Sequence, residues 1–485
     1  MRVLSVVHDY LPRHRAGAEI YTHQLARALR RRGHEAVVLY AEYDRDAEPH
    51  TLRRGEYDTV PFFEATWKFG HASFEATYRD AAMERLFERV LDEVRPEVLH
   101  VQHLGRFSIG LPAIAKARGV AVAYTLHEYA LTCPRRGLRM TAEGTLCDDL
   151  DSRLCAQCIV GEAVPEAPPV LPTRGERFAH FWREKVAGRS RRFVRKRLAS
   201  VGLFDRARVD ESAPRPVITR YSPDDWLRMA QIVAIEKRWG AVREMIRDVD
   251  LFIAPSPFLR RKFVEFGVPR RKILFSDNGI DLEPFRGFSR AREASGRVRF
   301  GYAGTIDEHK GVHVLVEAMN RLERGKATLS IHGDLNAFPG YAERVRSLAA
   351  SPDTFFRGPF DNARVAEVLS SIDVLVVPSL WYENSPLTIH EAFAAKAPVV
   401  ATDLGGMRDL VRDGVSGLLF RRGDPDDLAR ALARLASDGP LLERLRAGLP
   451  RVKTVDEDAA DMEARYARLL RRRPFFRRRS RPSRP

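Results

Sequence analysis

Short apolar runs alternate with amphipathic stretches along most of the 485 residues. The runs Val3–Val7, Ala36–Tyr40, Val98–Val101 and Val120–Thr125 are short and continuous, as buried parallel strands are. Between them, 18–32 carries apolar positions at Ile20, Leu25, Ala28 and Leu29, and 74–94 has the same helical period. The rhythm breaks at about 130 and resumes with a helix over 230–249 and a strand at Leu251–Ala254. Further strands are predicted at 298–302, 327–332, 354–356, 374–377, 398–401 and 417–420, with helices between. From Pro425 to about Leu470 the pattern is helical. Alternation of this kind predicts an α/β chain with two Rossmann-like, doubly wound halves. The expected divisions are 1–285, with an insert at about 130–250, then 286–455, a C-terminal helix at 456–470 and a basic tail at 471–485. The facing carboxyl edges of two such sheets form an interdomain cleft, a usual place for a small-molecule site.

Charge adds a second layer. The formal net charge is +16 and is concentrated. The tail 471–485 holds eight Arg and no acid, and 174–197 holds ten Lys/Arg against two Glu. Such segments suit anionic lipid headgroups, and Phe475-Phe476 inside the tail favours an anionic membrane surface. Solvated surface is the competing reading, and nucleic acid the least favoured. MRVLSVVHDYLP reads as a first strand rather than a signal peptide, and no run of 18 apolar residues occurs. A cytoplasmic location is expected, peripheral on the inner face of the cell membrane.

The chemistry concentrates at predicted strand ends. In SLWYENSPLTIHEAF, Glu383 lies on the loop after the 372–379 run, and Ser385-Pro386 reads as a helix start that places Glu391 inside the helix. Free amides at such a helix start attract phosphate, and two carboxylates beside them suit the hydroxyls of a sugar and a ribose. Gly301-Tyr302-Ala303-Gly304 leads to Lys310, a candidate phosphate cation. Gly333 ends another strand, and Gly405-Gly406 follows a third; both leave room for close approach to a ligand.

The ordered set YAGTIDEHKG, FRGPF and VLVVPSLWYENSPLTIHEAFAAKAPVVATDLGGMRDLVRDGVSGLLF resembles the retaining glycosyltransferases of family 4, which have the GT-B fold. The likeness extends to PRHRAGAEIYTHQLARALRRRGHEAVVL near the start and to FSDNGID at the domain junction. Glu383 and Glu391 match the family's two glutamates separated by seven residues. The resemblance implies that Glu391 binds the ribose of a nucleotide diphosphate sugar and that Glu383 faces the donor hexose. Amides from Ser385 through Leu387 to Thr388 would hold the diphosphate, and Lys310 would neutralise it. Gly304, Gly405 and Gly406 would complete the donor site. His127, in TLHEY, matches the family's cleft histidine, and Gly17 and Glu19 its acceptor loop. The implied acceptor is a glycan or a lipid-linked precursor, and no metal cofactor is implied for catalysis. Many relatives carry Arg where this chain has Thr305, so the diphosphate would lose one cation, with Arg408 a candidate replacement.

The only four cysteines, Cys133, Cys147, Cys155 and Cys158, fall within 26 residues, and the last pair is Cys-x-x-Cys. Disulfides are not expected in a cytoplasmic protein. The leading reading is a structural zinc site that shapes the acceptor side, with free or redox-sensitive thiols next and an iron–sulfur cluster last. Two alternatives to a transferase stand beside this account. One is another enzyme on the same fold, a sugar-nucleotide epimerase or a glycogen-type phosphorylase. The other is a non-catalytic sugar-nucleotide binding protein.

Overall fold

The apolar runs pair into two sheets in a computed structural model that describes residues 1–68, 73–135, 137–159, 223–290 and 296–471. The first sheet uses β1 (Arg2–Val7), β2 (Glu35–Tyr43), β3 (Leu52–Tyr57), β4 (Val60–Trp67), β5 (Val98–Val101), β6 (Ala121–Thr125), β7 (Leu251–Ala254) and β8 (Ile273–Phe275). Its order is β3-β4-β2-β1-β5-β6-β7-β8, parallel except for the β3/β4 hairpin. The second sheet uses β9 (Val298–Ala303), β10 (Ala327–His332), β11 (Thr354–Gly358), β12 (Val374–Val377), β13 (Val399–Thr402) and β14 (Gly417–Phe420). It runs β11-β10-β9-β12-β13-β14, all parallel.

Strand order reverses between β1 and β5 in one sheet and between β9 and β12 in the other. These are the switch points where neighbouring connections leave on opposite faces and open a crevice at the carboxyl ends. The loops after β9 and β12 carry Lys310 and Glu383, and those after β1 and β6 carry His8 and His127.

Two local differences from the periodic reading have clear causes. The 74–94 stretch is a 3₁₀ turn at Glu75–Thr77 and a helix at Ala81–Val94, because Asp80 caps the second by accepting from Ala82 N and Met83 N at 2.8 and 3.0 Å. The β3/β4 hairpin is not predicted, since LRRGEY is a largely exposed edge strand with no continuous apolar run.

The chain leaves the first domain at 276–281 and returns near Thr454. There Ile280 N donates to Lys453 O at 3.1 Å and Val455 N to Ile280 O at 2.8 Å. A Cβ on Gly279 would stand 2.5 Å from Thr454 O, so the crossing strands meet only because that residue is glycine. The final helix, Val455–Arg471, then packs on the N-terminal domain rather than on the domain that precedes it. Its Val455, Ala459, Met462, Tyr466 and Leu469 join the core beneath the helix at Gly17–Arg31. Tyr21 donates its hydroxyl to the fully buried Asp458 at 2.8 Å, and Tyr466 Oη lies 2.7 Å from His100 Nδ1.

Among the described residues, no helix is long and apolar enough to cross a membrane. The Pro-rich 161–175 stretch, the basic 174–197 segment and the tail beyond Arg471 lie outside the described residues.

Candidate functional site

Glu383 sits at the centre of the second domain's switch point. The β12 strand ends at Val377, and the loop turns back so that Glu383 Oε1 accepts from Lys310 Nζ at 2.7 Å, Ser379 Oγ at 2.8 Å and Trp381 Nε1 at 2.8 Å. Burial alone would raise its pKa, but the Lys310 charge and these three donors outweigh it and hold the carboxyl below its ordinary value. Lys310 reaches the site from the Glu308–Lys310 turn and lies 5.0 Å from the Trp381 ring centroid. That turn docks through Leu380 N to His309 O at 2.8 Å. Gly311 follows at φ 70°, and a Cβ there would collide with Pro378 O at 2.1 Å.

The helix begins at Leu387, with Pro386 as its N-cap. The amides of Leu387 and Thr388 have no intrahelical acceptor in that first turn. Glu391 is buried in this helix, and its carboxylate makes no hydrogen bond or ion pair among the described residues. Burial pushes its pKa up to about 7. The two glutamates therefore differ: one is ionised and triply held, the other is unpartnered.

From the opposite domain, His127 follows β6. Its Nε2 lies 2.8 Å from Gln102 Oε1, whose amide nitrogen stands 3.1 Å from His100 Nδ1. His100 Nε2 continues to Thr125 Oγ1 at 2.7 Å. With Nε2–H donating to Gln102, Nδ1 of His127 is left as an acceptor. Burial first, then His103 and His100, lower its pKa to about 3, so the ring is neutral. Asn384 Nδ2 donates to His127 O at 2.5 Å, which ties the histidine loop to the residue beside Glu383. Gly17, at the start of its helix, faces the same place: a Cβ there would lie 3.9 Å from Leu387 Cδ1. Glu19 is buried under that turn.

The glycine expectations need correction. The close approach that Gly405 and Gly406 permit is that of the Glu383 loop backbone. A Cβ on Gly406 would stand 1.6 Å from Asn384 O, and its amide already donates to Glu383 O at 2.7 Å. Gly405 adopts φ 55° against the same loop. Gly333 likewise admits the carbonyl of Gly304, at 2.3 Å from a Cβ placed there. Gly406→Ala is therefore expected to displace the Glu383 loop and to destabilise the protein by about 3 kcal/mol, in the range of severe backbone or overpacking changes. Urea melts with matched nucleotide-sugar binding measure both losses. Unaltered melting would show that the loop yields freely.

Arg408, the candidate replacement for a cation at Thr305, faces Asp403 in this structure. It is largely exposed and sits 3.3 Å from Asp403 Oδ1.

The cysteine insert also lies differently from the sequence reading. It touches the donor-side domain: Tyr382 donates its hydroxyl to Asp148, and Arg422 donates to Gly144 O at 2.6 Å and Leu380 O at 2.6 Å. Burial first, and then neighbouring thiols, Cys133 among them, raise the pKa of Cys147, Cys155 and Cys158. Among the described residues, however, no three of their Sγ atoms gather within 4.8 Å as His8, Asp9 and Glu19 do. The described thiols thus do not form a ready tetrahedral zinc cage, and all four are free.

Ser379, Trp381, Tyr382 and Asn384 are site residues that the sequence reading does not single out, although they stand in the same SLWYENSP segment. A hydroxyl and an indole N–H flanking a lone loop carboxylate are the signal that could have found the first two.

Comparison with known proteins finds likenesses in both halves of the chain. A profile described as "Glycosyltransferase Family 4" matches residues 15–194, and one described as "Glycosyl transferases group 1" matches 297–438. Glycogen synthase of Mycobacterium tuberculosis (strain CDC 1551 / Oshkosh) is 29% identical over 215 residues, 44% of this chain and 51% of that protein. D-inositol 3-phosphate glycosyltransferase of Nocardia farcinica is 32% identical over 219 residues, 42% of this chain and 48% of that protein. The chain spans about half the length of the curated relatives it matches. Among solved structures, Anabaena Alr3699/HepE in complex with UDP and glucose superposes with a TM-score of 0.60 at 14% identity, covering 96% of this chain and 99% of that one. Sucrose-phosphate synthase from Thermosynechococcus elongatus gives 0.61 at 16% identity, covering 97% and 99%. These likenesses carry the fold, which is GT-B.

Proposed function

The chain belongs to glycosyltransferase family 4, and from that premise and the cleft we propose that it is a retaining glycosyltransferase. It moves a hexose from a nucleotide diphosphate sugar to a glycan or lipid-linked acceptor in cell-surface polysaccharide or glycolipid synthesis. The observation that carries this reading is the unequal glutamate pair. Glu391, buried and unpartnered, has both oxygens free for the ribose hydroxyls. Glu383, held by Lys310, Ser379 and Trp381, is fixed where the hexose meets the diphosphate.

The donor enters with its diphosphate on the Ser385–Thr388 turn, where helix amides and Lys310 offset its charge. As the glycosidic bond breaks, negative charge grows on the departing phosphate, and fixed donors aimed there lower the barrier. Neutral His127 accepts a hydroxyl proton of the sugar in a hydrogen bond through Nδ1. Glu383 is no nucleophile in this scheme. A carboxylate that accepts three hydrogen bonds is a poor attacker, and front-face departure lets a donor phosphate oxygen take the acceptor's proton. Gly17 and Glu19 flank the acceptor entry, and the basic 174–197 and 471–485 segments hold the enzyme on an anionic cytoplasmic membrane face.

Solved structures of similar fold in complex with UDP, UDP-glucose or ADP support a nucleotide sugar donor. A panel of nucleotide sugars, read by release of free nucleotide with and without membrane glycolipid extract, tests the proposal. Acceptor-dependent release with the α-linkage kept is expected from an α-linked donor. Binding without any turnover across the panel would favour a sugar-nucleotide binding protein, and an epimerised sugar would favour an epimerase.

A further inference from the structure

Across the cleft from the donor loop, three side chains converge beside the proposed acceptor entry. His8 and Asp9 follow β1, and Glu19 lies in the first turn of the Gly17–Arg31 helix. His8 Nε2 is 3.4 Å from Glu19 Oε1 and 3.6 Å from Asp9 Oδ2, and one ligand atom from each residue lies within 4.8 Å of the others. A tetrahedral ion with bonds of about 2.1 Å holds neighbouring ligands about 3.4 Å apart. The spacing is that of a cation cradle.

A second observation is independent of the spacing. Glu19 is 1% exposed, and its Oε2 has no hydrogen-bond partner. Its other oxygen faces His8, so the carboxylate points into the cluster. His8 Nδ1 is likewise buried without a partner. A buried carboxylate with an orphan oxygen is costly unless a positive charge meets it. The neighbouring cations give Glu19 Oε2 no hydrogen bond, and His103 acts on Glu19 only through its charge. Arg106 is engaged by the other oxygen of Asp9, Oδ1, which His14 Nε2 also approaches at 3.4 Å. His103 stacks on His8 with centroids 3.9 Å apart and turns its Nε2 to Glu128 Oε1 at 3.1 Å.

We propose that His8, Asp9 and Glu19 form a binding site for a divalent transition-metal cation of the zinc class, on the acceptor side of the cleft. One imidazole and two carboxylates suit zinc, cobalt or manganese better than an all-oxygen ion such as magnesium. The partly exposed side of His8 leaves a fourth position open to water or a hydroxyl. The site does not depend on the donor reading and is testable without a sugar nucleotide.

The test uses full-length protein stripped with chelator and titrated with Co²⁺. Visible d–d absorption without thiolate charge transfer is expected from this site, whereas the cysteine insert would give thiolate bands. Glu19→Gln should weaken that Co²⁺ binding by at least about tenfold, the scale of losses seen even for groups that only support ligands. In chelator the same variant should melt no lower than the parent, because it removes a buried charge. Zn²⁺ should raise the Tm of the parent and not of the variant. If Glu19→Gln fails to fold, His8→Gln, at a partly exposed position, serves in its place. Absence of d–d absorption, thiolate bands alone, or unchanged affinity in the folded variant would overturn the site.

Discussion

Lys310→Met is expected to lower kcat/KM for the nucleotide sugar by about 10²–10³, the usual loss when one fixed electrostatic partner of a developing anion is removed. Two effects combine. In the proposed donor site the diphosphate would lose its lysine cation, while Thr305 supplies no charge and Arg408 pairs with Asp403. Glu383 also loses its ion pair at 2.7 Å while Ser379 and Trp381 remain. Breaking a buried pair by deleting one member costs about 3–5 kcal/mol when the other charge is stranded. Lys310 is 23% exposed at its side chain, so the lower end applies. The double variant Lys310→Met, Glu383→Gln should recover much of the stability and none of the activity. Urea melts and steady-state kinetics on the three proteins separate the two effects. Near-parental turnover in Lys310→Met would remove lysine from the donor site.

Glu391→Gln is expected to weaken donor binding by about 10–100-fold, the equivalent of a charged hydrogen bond of about 1.5–3 kcal/mol. It should also make the protein more stable above neutral pH. The carboxyl's pKa is raised by burial to about 7 in the folded protein, against an ordinary value of 4.5. The unfolded chain thus releases this proton first, so stability falls as pH rises from about 4.5 to 7 and the penalty is complete above that. A shift of this size corresponds to about 3 kcal/mol. Parent and variant should therefore melt alike at pH 4 and diverge by pH 8, with the variant higher. Donor affinity should show the opposite trend in the parent, strengthening as Glu391 ionises, and should lose that pH dependence in the variant. Calorimetric titration of donor at pH 6 and 8 reads this directly. A pH-independent parent affinity would mean that Glu391 does not meet the ribose as a carboxylate.

Much of this fold is legible in the order of residues. Buried parallel strands are nearly continuous apolar runs, so β1, β5, β6 and β12 stand out. The β3 edge strand does not, because an exposed edge needs no apolar run. The Glu383 and Lys310 loops are recognisable because strand ends and their glycines mark where a parallel sheet opens. Which backbone those glycines admit is not legible. Gly406 and Gly333 read as space for a ligand, yet they accommodate Asn384 O and Gly304 O. Composition records that a glycine is needed and not what approaches it.

Chain order and residue type by themselves determined the two-domain α/β fold, its family and the identity of the paired glutamates, because periodicity and local spacing are properties of contiguous residues. Tertiary structure alone decided how those glutamates differ. Both are short-range neighbours with the same side chain, but Lys310 reaches Glu383 across 73 residues, while no described group reaches Glu391. It also decided that the last helix returns to the first domain, that the cysteine insert meets the donor loop through Asp148, and that His8, Asp9 and Glu19 converge. Each of these depends on electrostatics and packing between segments far apart in the chain, and such contacts leave no periodic trace in the sequence.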